Sequence, residues 1–457
     1  MRNIAASSSE LAITSRKARV REIFPAILRR LLRSRFVRST GVMVGGTAIS
    51  QIIGVAAAPV LTRMYSPYDF GVYQSFLSLL GCGLVMASLR YEIAIPLAPN
   101  SRRAAHVLVL ALAVALASAG VTLLVGVVAV GSGRWTLAPG LKAQMYFIAL
   151  GLGVSLLFGG VAKVFNYWGI RELDFGTVAQ GNVCQVGVQT GTAIAAGLWK
   201  PAALGLILAD ALGRTASAAW LGHRYFGTLS GLLRKLRTSH LRAVMRRYKD
   251  FPLISSPSSL VNTVGIVVTP LMLLRLYGAS AAGFFALADR VVGAPSMLIA
   301  TALSQVFAAD LARLRTAPGR ERVQFVKKIA IGQILLGTIP FGLFWTLGPR
   351  IFVFVFGPSW SEAGEYARVL AALAFVCFIS APLNLTLSIL ERQRWQFGWD
   401  LGRLVLVVAV WFAAWALHFD ARSAMTLYVL VGSLTYIAFF CLCVIALTLP
   451  RQRAVIA

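Results

Sequence analysis

The sequence predicts an all-α integral membrane protein, with about twelve transmembrane helices in two parallel-repeat six-helix bundles around a central cleft. Three observations carry that expectation. Long apolar runs recur along the chain, basic residues crowd into every second connection between them, and both halves open on the same pattern of Gly, Pro, Arg and Tyr. Of 457 residues, 58% are hydrophobic and only 13% charged, and the mean hydropathy is +0.75. Soluble domains are about a quarter charged, so lipid is the main solvent here. A formal net charge of +28 would suggest nucleic acid in a soluble protein. Here the cations lie in short stretches between apolar runs, the pattern that orients a chain in a bilayer, and no nucleic-acid partner is expected.

A hydrocarbon core about 30 Å thick is crossed by roughly 20 apolar helical residues. Runs of that length lie at about 40–62, 70–89, 104–130, 144–165, 175–198 and 201–222. Six more lie at about 252–274, 282–308, 328–348, 363–389, 401–418 and 424–447. The stretch from Pro349 to Phe356 either extends the ninth helix or lies flat outside it.

Charge sets the orientation. Residues 1–39 form a basic arm, with Arg29, Arg30, Arg33, Arg35 and Arg38 close to the first span. Arg90, Arg102 and Arg103 follow helix two, Lys163 and Arg171 follow helix four, and Arg234, Lys235, Arg237, Arg242, Arg246, Arg247 and Lys249 follow helix six. Arg313, Arg315, Arg320 and Arg322 follow helix eight, and Arg392, Arg394 and Arg403 follow helix ten. The intervening loops hold few cations, chiefly Arg63, Arg134, Lys142, Lys200, Arg275, Arg350 and Arg422. By the positive-inside rule both termini are cytoplasmic in a multi-pass membrane protein. A missed helix would break the alternation.

The chain then divides into the arm at 1–39, a six-helix bundle at 40–222, a basic cytoplasmic linker at 223–251, a second bundle at 252–447 and a tail at 448–457. Within the arm, Phe24, Ile27, Leu28, Leu31 and Leu32 have helical spacing opposite Arg29, Arg30 and Arg33, which predicts an interfacial helix on the anionic inner leaflet. A solvated basic arm is the alternative. The arm lacks the apolar core of a signal peptide. Cys82, Cys184, Cys377, Cys441 and Cys443 all lie inside apolar runs and read as small hydrophobes.

The halves repeat. Gly54-Val-Ala-Ala-Ala-Pro59 aligns with Gly265-Ile-Val-Val-Thr-Pro270, and with one residue inserted Arg63, Tyr65, Gly71 and Tyr73 fall on Arg275, Tyr277, Gly283 and Phe285. Six helices separate the copies, so both have one orientation and the repeat axis lies along the membrane normal. Two bundles so related leave a cleft between them.

Leu61-Thr-Arg-Met-Tyr-Ser-Pro-Tyr-Asp-Phe-Gly-Val-Tyr73 resembles the first-loop signature of Wzx-type polysaccharide (O-antigen) flippases, and Leu89-Arg-Tyr-Glu-Ile-Ala-Ile-Pro-Leu97 is similar to the segment after their second helix. Asn166-Tyr-Trp-Gly-Ile-Arg-Glu-Leu-Asp-Phe175, Ala282-Gly-Phe-Phe-Ala-Leu-Ala-Asp-Arg290 and Phe356-Gly-Pro-Ser-Trp-Ser-Glu-Ala-Gly364 resemble further blocks of that family. The family belongs to the multidrug/oligosaccharidyl-lipid/polysaccharide superfamily. The resemblance implies translocation of an undecaprenyl-pyrophosphate-linked oligosaccharide from the cytoplasmic to the periplasmic leaflet, for O-antigen, capsule or exopolysaccharide synthesis. It also implies proton or sodium as coupling ion, a polysaccharide polymerase and glycosyltransferases as partners, and no cofactor. Lipid II flippases usually have two more C-terminal helices. Drug exporters of the superfamily often carry an acid in helix one, where this chain has none.

Moving a pyrophosphate and its sugars through hydrocarbon calls for a polar, cationic path. Ionisable residues at membrane depth are rare and usually face an interior cavity. Asp210 and Arg214 lie four apart in helix six and share a face, either as a structural pair or as part of the path. Asp289 and Arg290 are adjacent in helix eight and point different ways. Arg290 is the first candidate for the head group, since a guanidinium stays charged and donates paired hydrogen bonds. Arg90, Arg63 and Arg275 are further candidates, with interfacial snorkelling as the alternative. Asp289, Asp210 and Glu92 are the candidates for ion coupling. Gln51, Gln74, Asn182, Gln185, Gln189, Asn262, Gln305 and Asn384 either line a sugar path or bond helices together.

Two other functions compete: a membrane polymerase or ligase, and a cation-coupled drug exporter. The enzyme reading needs paired carboxylates or a His-centred site on a sizeable loop. The outer loops are short, with Asp69, Glu362, Glu365 and Asp420 as their acids, and His106, His223, His240 and His418 are scattered without metal-ligand spacing.

Overall fold

The computed structural model describes residues 35–132, 145–233, 238–293, 307, 318–390 and 392–448. The expected interfacial helix at 24–32, the later part of the expected eighth span at 294–306, the basic segment at 308–317 and the tail at 449–457 lie outside the described residues. Among the described residues there is no strand. The long helices are α1 (Arg35–Met64), α2 (Pro67–Met86), α3 (Ser101–Gly131), α4 (Met145–Arg171), α5 (Phe175–Trp199), α6 (Ala203–Leu233), α7 (Ser256–Tyr277), α8 (279–293), α9 (Gly319–Phe356), α10 (Ser361–Ser380), α11 (Gln393–Ala416) and α12 (Ala421–Thr448). Nine of them are long and apolar enough to cross a membrane by length and composition. The exceptions are α5, with Asn182, Gln185 and Gln189, α6, with Asp210 and Arg214, and the described part of α8.

Local chemistry starts and stops these helices. Ser66 accepts from the Asp69 backbone while the Asp69 carboxylate accepts from the Ser66 backbone, a reciprocal cap with Pro67 in the first turn. The Asp69 carboxylate also accepts from the Ala203 backbone at 2.8 Å, which ties the starts of α2 and α6 together. At the far end of α9, Gly357 takes φ +104°, a conformation only glycine adopts cheaply, and the helix stops.

One open boundary is decided, and others differ from expectation. α9 includes Pro349 to Phe356, so that run extends the ninth helix instead of lying flat. Phe352 and Phe356 are buried, and α9 meets α10 backbone to backbone where Gly348 faces Gly364. At 1.5 Å per residue its 38 residues span about 57 Å, more than the bilayer core, so it projects beyond it. The expected single helix at 363–389 is broken after Ser380 by a 3₁₀ turn, Ala381–Leu385, that contains Pro382. α6 runs on to Leu233 and absorbs the start of the expected linker. α11 begins at Gln393, which moves Arg403 from the expected cytoplasmic flank well into a helix.

The first lobe is α1–α6, with α5 against α1 and α6, and α4 against α3 and α6. In the second lobe α9 packs on α10, α10 on α12, α7 on α11 and α11 on α12, while α2 packs on α7 across the lobes. The internal repeat is visible in bonds. Tyr65 donates its hydroxyl to the Ala193 carbonyl at 2.7 Å, and its counterpart Tyr277 donates to the Phe419 carbonyl at 2.8 Å. Pro59 and Pro270 sit inside α1 and α7.

The repeat-equivalent glycines Gly71 and Gly283 meet each other. A Cβ on Gly71 would lie 1.7 Å from the Ala279 carbonyl oxygen, and one on Gly283 would lie 1.9 Å from that of Pro67. Glycine is the residue that permits so close a backbone approach. Beside them Trp360, wholly buried, donates its indole N–H to the Thr62 carbonyl at 2.9 Å and sets its ring edge-on to Phe70 and Phe284. The lobes thus meet backbone to backbone at the end that carries the cation-poor loops.

Candidate translocation cavity

A cavity of about 490 Å³ opens beneath that contact, lined by α7, α8, α10, α11 and α12 of the second lobe and by Gln74 of α2. Its polar groups are Gln74, Asp289, Asn384, Arg403, Tyr428, Thr435 and Tyr436, set among Pro270, Phe285, Leu373 and Phe378. The placement of the charges follows from α8. Gly283 pins the start of this helix to α2, and successive helical residues then turn by about 100°. Asp289 faces the second-lobe cavity. Arg290, one step round, reaches the first lobe, where its guanidinium lies against Gly54 of α1; a Cβ there would be 2.7 Å from Nη2.

Neither Asp289 nor Arg290 has a hydrogen bond or ion pair among the described residues, and both keep exposed surface. The contrast with Asp210 and Arg214 is direct. That pair is bidentate, with Nε to Oδ2 at 2.8 Å and Nη2 to Oδ1 at 3.1 Å, and Asp210 is buried. The spacing of four brings them together as expected. Nearby, Gln189 of α5 donates to the Tyr73 hydroxyl at 2.7 Å, and Tyr73 lies in the combined field of Asp210, Arg214 and Arg290. Arg290 therefore faces a polar patch of the first lobe whose own charges are already paired.

Arg403 belongs to the cavity although its sequence neighbourhood reads as an exit loop. It donates to Asn262 Oδ1 at 3.0 Å and to the Tyr436 hydroxyl at 3.4 Å, and it lies over the Trp399 ring. Its Nε is buried without a partner among the described residues. Room for it comes from Gly265, where a Cβ would meet Nη2 at 3.4 Å. Gly265 is the repeat counterpart of Gly54, so both glycines of the repeat receive a guanidinium. That recurrence appears only in the fold, so no signal in the sequence pointed to Arg403.

The other candidates lie elsewhere. Glu92 is fully buried and pairs with Lys163 Nζ at 2.7 Å while accepting from Ser88 at 2.5 Å. Lys163 also donates to the Leu84 carbonyl, so this group ties the exit of α2 to α4, away from the cavity. Arg90, in the left-handed region at φ 60°, hydrogen-bonds Ser259 of α7 across the lobes. Arg63 and Arg275 are exposed in the last turns of α1 and α7, where a cation complements the helix dipole. Of the uncharged candidates, Gln74 and Asn384 line the cavity, Asn262 holds Arg403 and Gln189 holds Tyr73. Gln305 lies outside the described residues.

Two helical lobes beside a polar cavity give the chain the fold of transporters of the multidrug/oligosaccharidyl-lipid/polysaccharide superfamily. Solved structures of that class share the fold. An inward-facing multidrug-resistance MATE transporter superposes with a TM-score of 0.65 at 14% identity, covering 89% of this chain and 98% of that one. A superfamily transporter from Pyrococcus furiosus superposes with a TM-score of 0.57 at 14% identity, covering 92% and 98%. Within the class the particular family is given by sequence. The family model for "Polysaccharide biosynthesis protein" matches residues 60–365, and the chain belongs to that family. The teichuronic acid biosynthesis protein TuaB of Bacillus subtilis is 22% identical over 273 residues, 60% of this chain. The chain spans about half, 55%, of that relative's length.

Proposed function

We propose that this protein flips an undecaprenyl-pyrophosphate-linked oligosaccharide from the cytoplasmic to the periplasmic leaflet of a bacterial inner membrane, by alternating access of its two lobes. The observation that carries the reading is Arg290: a guanidinium on a membrane helix, between the lobes, with no hydrogen bond or ion pair among the described residues. A bare cation at membrane depth is expensive unless a ligand or water meets it. A pyrophosphate matches its planar fork of donors. Arg403 supplies a second cation in the cavity, and the sugars lie against Gln74, Asn384, Thr435 and the tyrosines, while the prenyl tail stays in lipid. Asp289, unpaired among the described residues in the same cavity, takes the coupling proton or sodium ion. Asp210, Arg214 and Glu92 are held by structural pairs. The cation-poor end where the lobes meet is the periplasmic one, with both termini and the linker cytoplasmic, and a polymerase and glycosyltransferases act before and after the transfer.

The test is the sidedness of lipid-linked oligosaccharide. A glycan-binding lectin on intact spheroplasts reports the outer pool, and lysed cells report the total. With Arg290→Ala the total should persist while the share that the lectin reaches collapses, at unchanged protein level in the membrane. Full-length repeat units that still reach the outer face, but fail to lengthen or attach, would overturn the assignment in favour of a polymerase or ligase.

A further inference from the structure

The connection between the lobes presents a cationic face that neither the cavity nor the seam uses. Residues Thr238–Arg247 form a surface helix. Val244 and, one turn on, Tyr248 are buried in a cluster with Val107 of α3, Trp168 of α4 and Tyr225 of α6. That docking sets the rotation of the helix. Arg242, Met245, Arg246 and Lys249, spaced three and four apart, then share the opposite side and are exposed. None of the three cations has an ion pair among the described residues. Asp250 is exposed beside Lys249, and Asp174 accepts from Tyr225 of the same cluster at 3.5 Å.

The chain just beyond this helix indicates what the face meets. It continues in helical turns, with the Tyr248 amide donating to Val244 and the Leu253 amide to Lys249. Within one turn of Lys249 the exposed residues become Leu253 and Ile254, 69% and 66% exposed, at the foot of the membrane-spanning α7. A change from exposed cations to exposed aliphatics over one turn marks the boundary between headgroups and acyl chains. Arg242, Arg246 and Lys249 stand on the headgroup side of it, with Met245 among them as an apolar contact.

We infer that this face binds anionic phospholipid headgroups and anchors the lobe-to-lobe connection to the bilayer surface. The attraction is diffuse: each cation near an anionic surface contributes about five-fold in affinity, and the effect fades beyond a Debye length of about 10 Å at 0.1 M salt. Three cations together therefore contribute on the order of a hundred-fold. Binding is independent of whether the cavity carries a glycan, so it is measured without transport.

The full-length protein in detergent is titrated with dansyl-labelled phosphatidylglycerol or phosphatidylcholine, and energy transfer from tryptophan gives the apparent affinities. The wild type should prefer phosphatidylglycerol, and the preference should shrink with salt. The triple variant R242Q/R246Q/K249Q should lose at least ten-fold of it, whereas R242K/R246K should keep it, because charge and not fork geometry is what counts. Three results overturn the inference: no preference in the wild type, an undiminished preference in the glutamine variant, as when the face serves an acidic protein partner, or loss in the lysine variant as complete as in the glutamine one.

Discussion

Replacing Gly71 by alanine tests how the two lobes meet. The added Cβ would stand 1.7 Å from the Ala279 carbonyl oxygen, where ordinary contact begins at 3.4 Å. The start of α8 must therefore retreat by roughly 1.7 Å, because a backbone oxygen has no rotamer to change. Retreat also loosens the Trp360 bond to Thr62 and the Phe70–Trp360 contact beside it. Overpacking of this kind costs about 1–3 kcal/mol, and here the cost falls only on the arrangement with this end closed. The population should shift toward an open end by about 5- to 150-fold. Spin labels at positions 63 and 275, both exposed in the last turns of α1 and α7, would report it as a longer distance between them, in a protein whose native cysteines are replaced. Gly54→Ala is the internal control. Its Cβ would meet only the far end of the Arg290 side chain, at 2.7 Å, and that end can swing away. An unchanged distance distribution in Gly71→Ala, or an equal change in Gly54→Ala, would refute the reasoning.

Other expectations rest on single groups. Glu92→Gln leaves the Lys163 ammonium facing an uncharged partner in a buried setting and should destabilise the first lobe by about 1–3 kcal/mol, read as an earlier unfolding midpoint in detergent. An unshifted midpoint would mean that the pair contributes nothing. Asp289→Asn should abolish the dependence of flipping on a proton or sodium gradient in proteoliposomes while substrate still binds; retention of full gradient dependence would exclude the carboxylate as the coupling group.

The membrane class and most of the long helices were legible because they rest on length and hydropathy, properties of the sequence itself. The repeat was legible too, through Gly, Pro, Arg and Tyr, and Tyr65 and Tyr277 turn out to make matching bonds. What stayed open or escaped depends on partners distant in the chain. The run from Pro349 to Phe356 reads equally as an extension of the ninth helix or as a segment lying flat, and the close approach of α10 at Gly348 belongs to the first of these. Arg403 reads as a loop cation because the residues before Leu401 are mostly polar and aromatic; only the fold sets Trp399 under it and brings Tyr436 and Asn262 to it. Glu92 reads as an acid near the surface, and only the fold brings Lys163 of α4 to it. Spacing along one helix predicted the Asp210–Arg214 pair, whereas no spacing rule reaches across seventy residues.

The two glycine-seated arginines differ in which body they travel with. Arg403 lies on α11 and rests on Gly265 of α7, both in the second lobe, so any rigid movement of that lobe carries charge and seat together. Arg290 belongs to the second lobe but rests on Gly54 of the first. If the lobes pivot, Arg290 is drawn off its seat while Arg403 keeps its own. One cation is stationary in the frame of its binding site and the other is a moving contact, so an anion held by both would feel the pivot as a change in the distance between its two anchors.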